Sequence, residues 1–210
     1  SREMLELTQQ TGAFDIIQYN SAWIGDYEPY IQPLDDYVAA DNDAIGYATL
    51  DGGKRLRPAL VLLACEAAGG RRADGLPAAM AIELIHNFSL VHDDIEDNGT
   101  ERRHRPALWT VWGKAQAINT GDALFTLSRM ALYRLEEEGF DAQRILRLMR
   151  LYDETCLDLC EGQFMDIWTS EHDEWMSVDY YFDMIGRKTA ALIAGSAEAG
   201  AVLATEDEAT

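Results

Sequence analysis

Apolar side chains recur along this chain at helical rather than alternating spacing, and Gly, Pro and Asn-Gly clusters cut the pattern into segments. Met80, Leu84, Phe88, Val91 and Ile95 form one apolar stripe, which predicts a helix over about 76–97 with Asn98-Gly99 as its stop. Upstream, the pattern predicts a short helix from Asp43 to about Leu50, a break at Gly52-Gly53, and a helix over about 57–68 ended by Gly69-Gly70. Downstream, helices are expected over about 108–119 and 121–138. After Gly139, the residues Ile145, Met149, Tyr152, Cys156, Leu159 and Gln163 repeat at alternating spacing of four and three, which marks a long bundle helix. A last helix is expected over about 177–203, followed by the polar stretch Thr205 to Thr210. Residues 1–41 mix acidic and aromatic residues with turns, where Pro29 and Pro33 break any long helix. The expected fold is all-α, one domain over residues 1–210 with few or no strands.

Composition agrees with that expectation. A chain of 210 residues, 48% hydrophobic, can bury a substantial core without disulfides. The net charge of −20, with only Lys54, Lys114 and Lys188 as lysines, makes nucleic acid an unsuitable partner. Such acidity suits an ordinary acidic cytoplasmic protein or adaptation to high internal salt, and the scarcity of lysine favours the halophilic alternative. Cys65, Cys156 and Cys160 fall in apolar helical contexts, which fits a reducing compartment. Cys156 and Cys160 lie a turn apart with no matching His or Cys pair, so core packing is expected rather than a metal site. No basic-then-apolar leader opens the chain and no apolar run approaches the roughly 20 residues of a bilayer span, so a soluble, cytoplasmic protein is expected.

Candidate chemistry concentrates between His86 and Pro106. His86, Asp93 and Asp97 are separated by seven and four residues, a polar line up one side of the predicted helix. Asp93, Asp94, Glu96 and Asp97 crowd its C-terminal end, where the partial negative charge of the helix makes acids unfavourable. A solvated acidic face is the plainer reading. Carboxylates without His or Cys partners otherwise suit Mg²⁺, whose coordination is completed by phosphate oxygens and water. Arg102, Arg103 and Arg105 follow directly, and guanidinium groups fork onto phosphate oxygens. Charge balancing in a surface loop is the alternative there. A second basic cluster, Lys54, Arg55 and Arg57, follows two glycines at a helix start, where cations oppose the helix dipole unless an anion compensates. It lacks the spacing of a nucleotide P-loop.

The segments GGKRLRP (52–58), ELIHNFSLVHDDIED (83–97), RRHRP (102–106), TGDAL (120–124), GQFMDI (162–167) and KTAAL (188–192) together resemble the isoprenyl diphosphate synthase family, the trans-prenyltransferases. The resemblance spans about residues 43–203 and implies a helical bundle around a central cavity. It implies that Asp93 and Asp97 coordinate Mg²⁺ on an allylic diphosphate with Asp94 assisting, and that Arg102, Gln163, Asp166, Lys188 and Thr189 hold that diphosphate or its metals. Lys54, Arg57, His86 and Arg103 then bind the diphosphate of isopentenyl diphosphate. Without the family pattern, His86 would read as a core histidine and Gln163 as a bundle residue. The implied reaction ionises the allylic diphosphate and condenses the cation with isopentenyl diphosphate, catalysed by Asp93, Asp94, Asp97, Arg102 and Lys188. Phe88 and Ser89 look like the archaeal geranylgeranyl pattern of chain-length control, although Phe88 also belongs to the apolar stripe. A homodimer is the family's usual assembly.

Two departures stand out. The family's second aspartate-rich motif does not appear before Thr210, and Asp207 sits in a polar tail that does not replace it. His104 stands where the family usually has glycine. The C-terminal helices are therefore expected to be missing, which fits a truncated synthase or a short protein whose activity is impaired or supplied by a partner. A non-catalytic subunit of a heteromeric synthase is one alternative. A class I terpene cyclase is another, against which Lys54, Arg57 and His86 count because a cyclase needs no isopentenyl diphosphate site.

Overall fold

The computed structural model describes residues 44–49, 54–172 and 175–205. The expected Gly52-Gly53 break, the segment 1–41 and Asp207 lie outside the described residues. The chain divides into two compact units, Ser1–Lys54 and Arg55–Thr210. In the first, helix α1 (Ala44–Thr49) has Thr49 Oγ1 donating to the Ile45 carbonyl at 2.8 Å.

The second unit is built of helices. α2 (Leu56–Ala67) starts after Arg55, which takes a left-handed φ of 50°, and carries Pro58 in its first turn, where no N–H is needed. Gly69, at φ 92°, and Gly70 close its last carbonyls, as the glycine pair predicted. A short 3-10 turn (Arg72–Gly75) leads into α3 (Leu76–Glu96), the central helix. Ala78, Ala79, Ala81, Ile82 and Ile85 are buried along it, so α3 is enclosed on more sides than one stripe would predict.

β1 (Glu101–Arg102) and β2 (Arg105–Pro106) form a minimal antiparallel hairpin around the arginine loop. Its two turn residues, Arg103 and His104, have φ of 54° and 63°, the geometry a tight hairpin demands and glycine adopts most easily.

α4 (Leu108–Trp112) and α5 (Lys114–Glu137) correct the expected break near residue 120. The break is at Gly113, whose φ of 85° ends α4. Gly121 lies inside α5 because a Cβ there would fall 2.1 Å from His92 Nε2, so this glycine lets α5 press against α3. α6 (Ala142–His172) is the predicted long helix.

The last predicted helix is interrupted. α7 (Val178–Ile185) passes through a π turn (Gly186–Ala190) into α8 (Ala191–Ala204). The π turn lies over Gly162 of α6, where a Cβ would sit 2.3 Å from the Lys188 backbone nitrogen. α8 packs against α2 almost backbone to backbone, since a Cβ on Gly200 would fall 2.2 Å from the Val61 carbonyl oxygen. Among the described residues no helix is long and apolar enough to cross a membrane.

Candidate active site

α3, α6 and the π turn bring their polar side chains together at one end of a cleft of about 370 Å³. Arg57, His86, Phe88, Asp93, Gln163 and Lys188 are among its lining residues. Lys188 Nζ donates to Asp166 Oδ2 and lies 3.6 Å from Asp93 Oδ1, so one ammonium bridges carboxylates from two helices. Burial opposes the charge of Lys188, but the Asp166 hydrogen bond and the Asp93 and Asp97 charges outweigh it and raise its pKa.

Asp97, one turn beyond Asp93, is pushed up by partial burial and then by the Asp93 and Asp166 charges, against the lowering effect of Lys188. Asp93, Asp97 and Asp166 therefore feel one another as like charges around a single cation. Among the described residues no three His, Cys, Asp or Glu side chains converge tightly enough to chelate a metal unaided. An all-oxygen donor set with a lysine ammonium already drawn between its members nevertheless fits Mg²⁺, which uses one or two carboxylates and takes its remaining ligands from phosphate and water.

Asp94 is placed differently from its neighbours. It is buried, accepts from Arg102 Nε at 2.9 Å, and is pushed up by burial against the lowering effect of that bond. Arg102 Nη2 also donates to Asp93 Oδ2 at 3.0 Å. Asp94 thus anchors Arg102 beside Asp93.

On the other side of the cleft, Arg57 Nη1 approaches His86 Nε2 at 3.3 Å. Because guanidinium only donates, this nitrogen of His86 accepts and the ring is neutral. Burial and the charges of Arg57, Arg103, Arg55 and Arg102 push the His86 pKa down to about 3. Burial likewise lowers Arg57 and Arg103 from the ordinary arginine range. The Arg57 Nε is buried and has no hydrogen-bond partner among the described residues. Arg57 and His86 line the cleft, and the Arg103 charge acts on the same neutral imidazole. Thr189 and Ser89 line the cleft, and the Ser89 hydroxyl donates to the His86 carbonyl at 2.8 Å. Lys54 ends the first unit and stays a sequence expectation.

The structure gives three residues a placement that the sequence reading did not. Glu96 accepts from Gln163 Nε2 at 2.8 Å and ties α3 to α6. Buried Glu83 pairs with buried Arg55 and accepts from Asn87 Nδ2 at 3.1 Å, fixing the start of α2 against α3. A lone acid amid the apolar run 78–85 was the available signal for Glu83. Cys160 was expected in the core beside Cys156, yet it is exposed and lines the cleft.

The model of the family described as Polyprenyl synthetase matches residues 40–210. The geranylgeranyl diphosphate synthase of Methanosarcina mazei is 40% identical over 182 residues, covering 87% of this chain and 53% of that protein. The (2E,6E)-farnesyl diphosphate synthase of Mycobacterium bovis is 38% identical over 178 residues, 84% of this chain and 48% of that one. Among solved structures, the geranylgeranyl pyrophosphate synthetase from Pyrococcus horikoshii superposes with a TM-score of 0.75 at 34% identity, covering 91% of this chain and 60% of that chain. The chain spans about half the length of the curated relatives it matches.

Proposed function

The chain belongs to the polyprenyl synthetase family, and from that premise we propose that its cleft condenses isopentenyl diphosphate with an allylic diphosphate, with geranylgeranyl diphosphate as the product. The observation that carries this reading is Lys188 bridging Asp93 and Asp166 beside a cleft lined by both charged and apolar side chains.

The allylic diphosphate lies against Lys188, Thr189, Gln163 and Arg102, with its tail directed toward Phe88. Asp93, Asp97 and Asp166 would hold Mg²⁺, which when bound supplies positive charge to the departing diphosphate. Arg57, His86 and Arg103 take the diphosphate of isopentenyl diphosphate. The allylic C–O bond breaks with its electron pair leaving on diphosphate, the isopentenyl double bond attacks the allylic cation, and a proton leaves the new allylic unit to restore a double bond. Lys188 and Arg102 steady the negative charge that develops on the leaving group. The apolar walls keep water from the cation. Asp94 serves this step by positioning Arg102.

Phe88, five residues before Asp93, stands about 7.5 Å down the helix and floors the tail pocket. The relatives' names include both farnesyl and geranylgeranyl synthases, and the geranylgeranyl assignment rests on Phe88 and Ser89. A homodimer and a salt-adapted, soluble cytoplasmic protein belong to the same reading, the salt adaptation supported by the net charge of −20. Incubation of the chain with Mg²⁺, isopentenyl diphosphate and farnesyl diphosphate should give a geranylgeranyl product by mass spectrometry, and Phe88→Ala should lengthen it. A cyclised hydrocarbon, or no condensation product, would overturn the proposal.

A further inference from the structure

Below Phe88, α3 and α6, which line the cleft, are joined by α5. The Phe88 ring packs 5.3 Å from the Phe125 ring of α5, tilted by 60°, and 5.5 Å from the His92 ring. Beneath this layer lies a second, very small void of about 10 Å³ lined by Ile85, Phe125, Arg129, Tyr152, Asp153 and Cys156. It continues the same path, since Phe88 to Ile85, Phe125 to Arg129 and Cys160 to Cys156 each step about one turn down a helix.

The lining changes character there. Tyr152 donates its hydroxyl to the Ala78 carbonyl at 2.8 Å and so turns no free polar group inward. Burial raises the Cys156 thiol to about 12, which leaves it neutral. Arg129, by contrast, is forked onto both oxygens of Asp153, its guanidinium 6.0 Å from the centre of the Phe125 ring. The two side chains are 31% and 45% exposed, so this pair stands between the void and solvent.

We propose that the Arg129–Asp153 ion pair is the end wall of the tail channel, a second determinant of product length behind the aromatic layer of Phe88 and Phe125. The aromatic layer stops a tail by volume. The ion pair stops it by solvation, because a hydrocarbon lodged against it would have to take a guanidinium and a carboxylate out of water. Trimming the rings therefore extends the channel by a limited length, and only removal of the pair extends it further. This inference rests on the reading of the cleft as an allylic diphosphate site.

The test is a binding series that needs no turnover. Non-hydrolysable allylic thiolodiphosphates of increasing tail length are titrated with Mg²⁺ into the full chain, and the length at which affinity stops rising is read. Each accommodated isoprene unit should tighten binding by at least about tenfold. Phe88→Ala with Phe125→Ala should move the limit outward, and adding Arg129→Met and Asp153→Leu should move it again. Circular dichroism checks each fold, and Phe88→Leu with Phe125→Leu is the milder background if the alanine pair does not fold. The same limit with and without the ion pair, in variants that bind short tails normally, would overturn the inference. A wild-type chain that binds none of the series would instead remove the diphosphate reading beneath it.

Discussion

His86 sits where the start of α2 and the β1–β2 hairpin bring arginines around one imidazole, and its titration is the residue-scale consequence. Its pKa is lowered by burial and by Arg57, Arg103, Arg55 and Arg102 from 6.5 to about 3, so the folded protein holds it neutral. Between those values the unfolded chain binds the extra proton, so this histidine destabilises the fold as pH falls below 6.5 and contributes nothing adverse above it. His86 imidazole resonances should show no titration from neutral pH down to about pH 4, and an inflection near 6.5 would contradict this. A bound diphosphate should raise the pKa by supplying negative charge. At this scale the sequence was informative where neighbours are local: Asp93 and Asp97 share a helix face by spacing alone. It was silent about Glu83 with Arg55 and Glu96 with Gln163, because those partners come from other helices, 28 and 67 residues away.

The π turn between α7 and α8 is the element on which the site depends. Periodicity predicts one helix over about 177–203, because a single widened turn shifts the apolar pattern too little to be seen. Its support, Gly162, belongs to a recognisable motif, but its reason is a backbone contact with Lys188 that no local pattern encodes. Gly162→Ala should force α6 and the π turn apart, costing about 1–3 kcal/mol in urea unfolding and weakening diphosphate binding through the displaced Lys188. Unchanged stability and binding would show that the contact is not tight. Gly121 tells a similar story: the boundary expected between 119 and 121 falls inside α5, where the bare backbone of this glycine admits His92. The long, regular stripe of α3 was legible almost to its ends and that of α6 as far as Gln163, since burial on one face imposes the period.

At the scale of the whole molecule, a charge of −20 makes self-repulsion a property of the chain rather than of any residue. Raising KCl from about 0.1 M to about 1 M shortens the screening length from about 10 Å to about 3 Å, so the melting temperature should climb by about 2–4 °C for each kcal/mol recovered. A flat or falling profile would argue against salt adaptation. The same carboxylates that repel one another across the surface are gathered at the cleft around Lys188, and a metal-bearing diphosphate would relieve them there. The most direct measurement is calorimetric titration of farnesyl thiolodiphosphate into the full chain with and without Mg²⁺. The account predicts binding at least about tenfold tighter with the metal, a gain lost in Asp93→Asn. Equal affinity with and without Mg²⁺, or a gain that survives in Asp93→Asn, would contradict it.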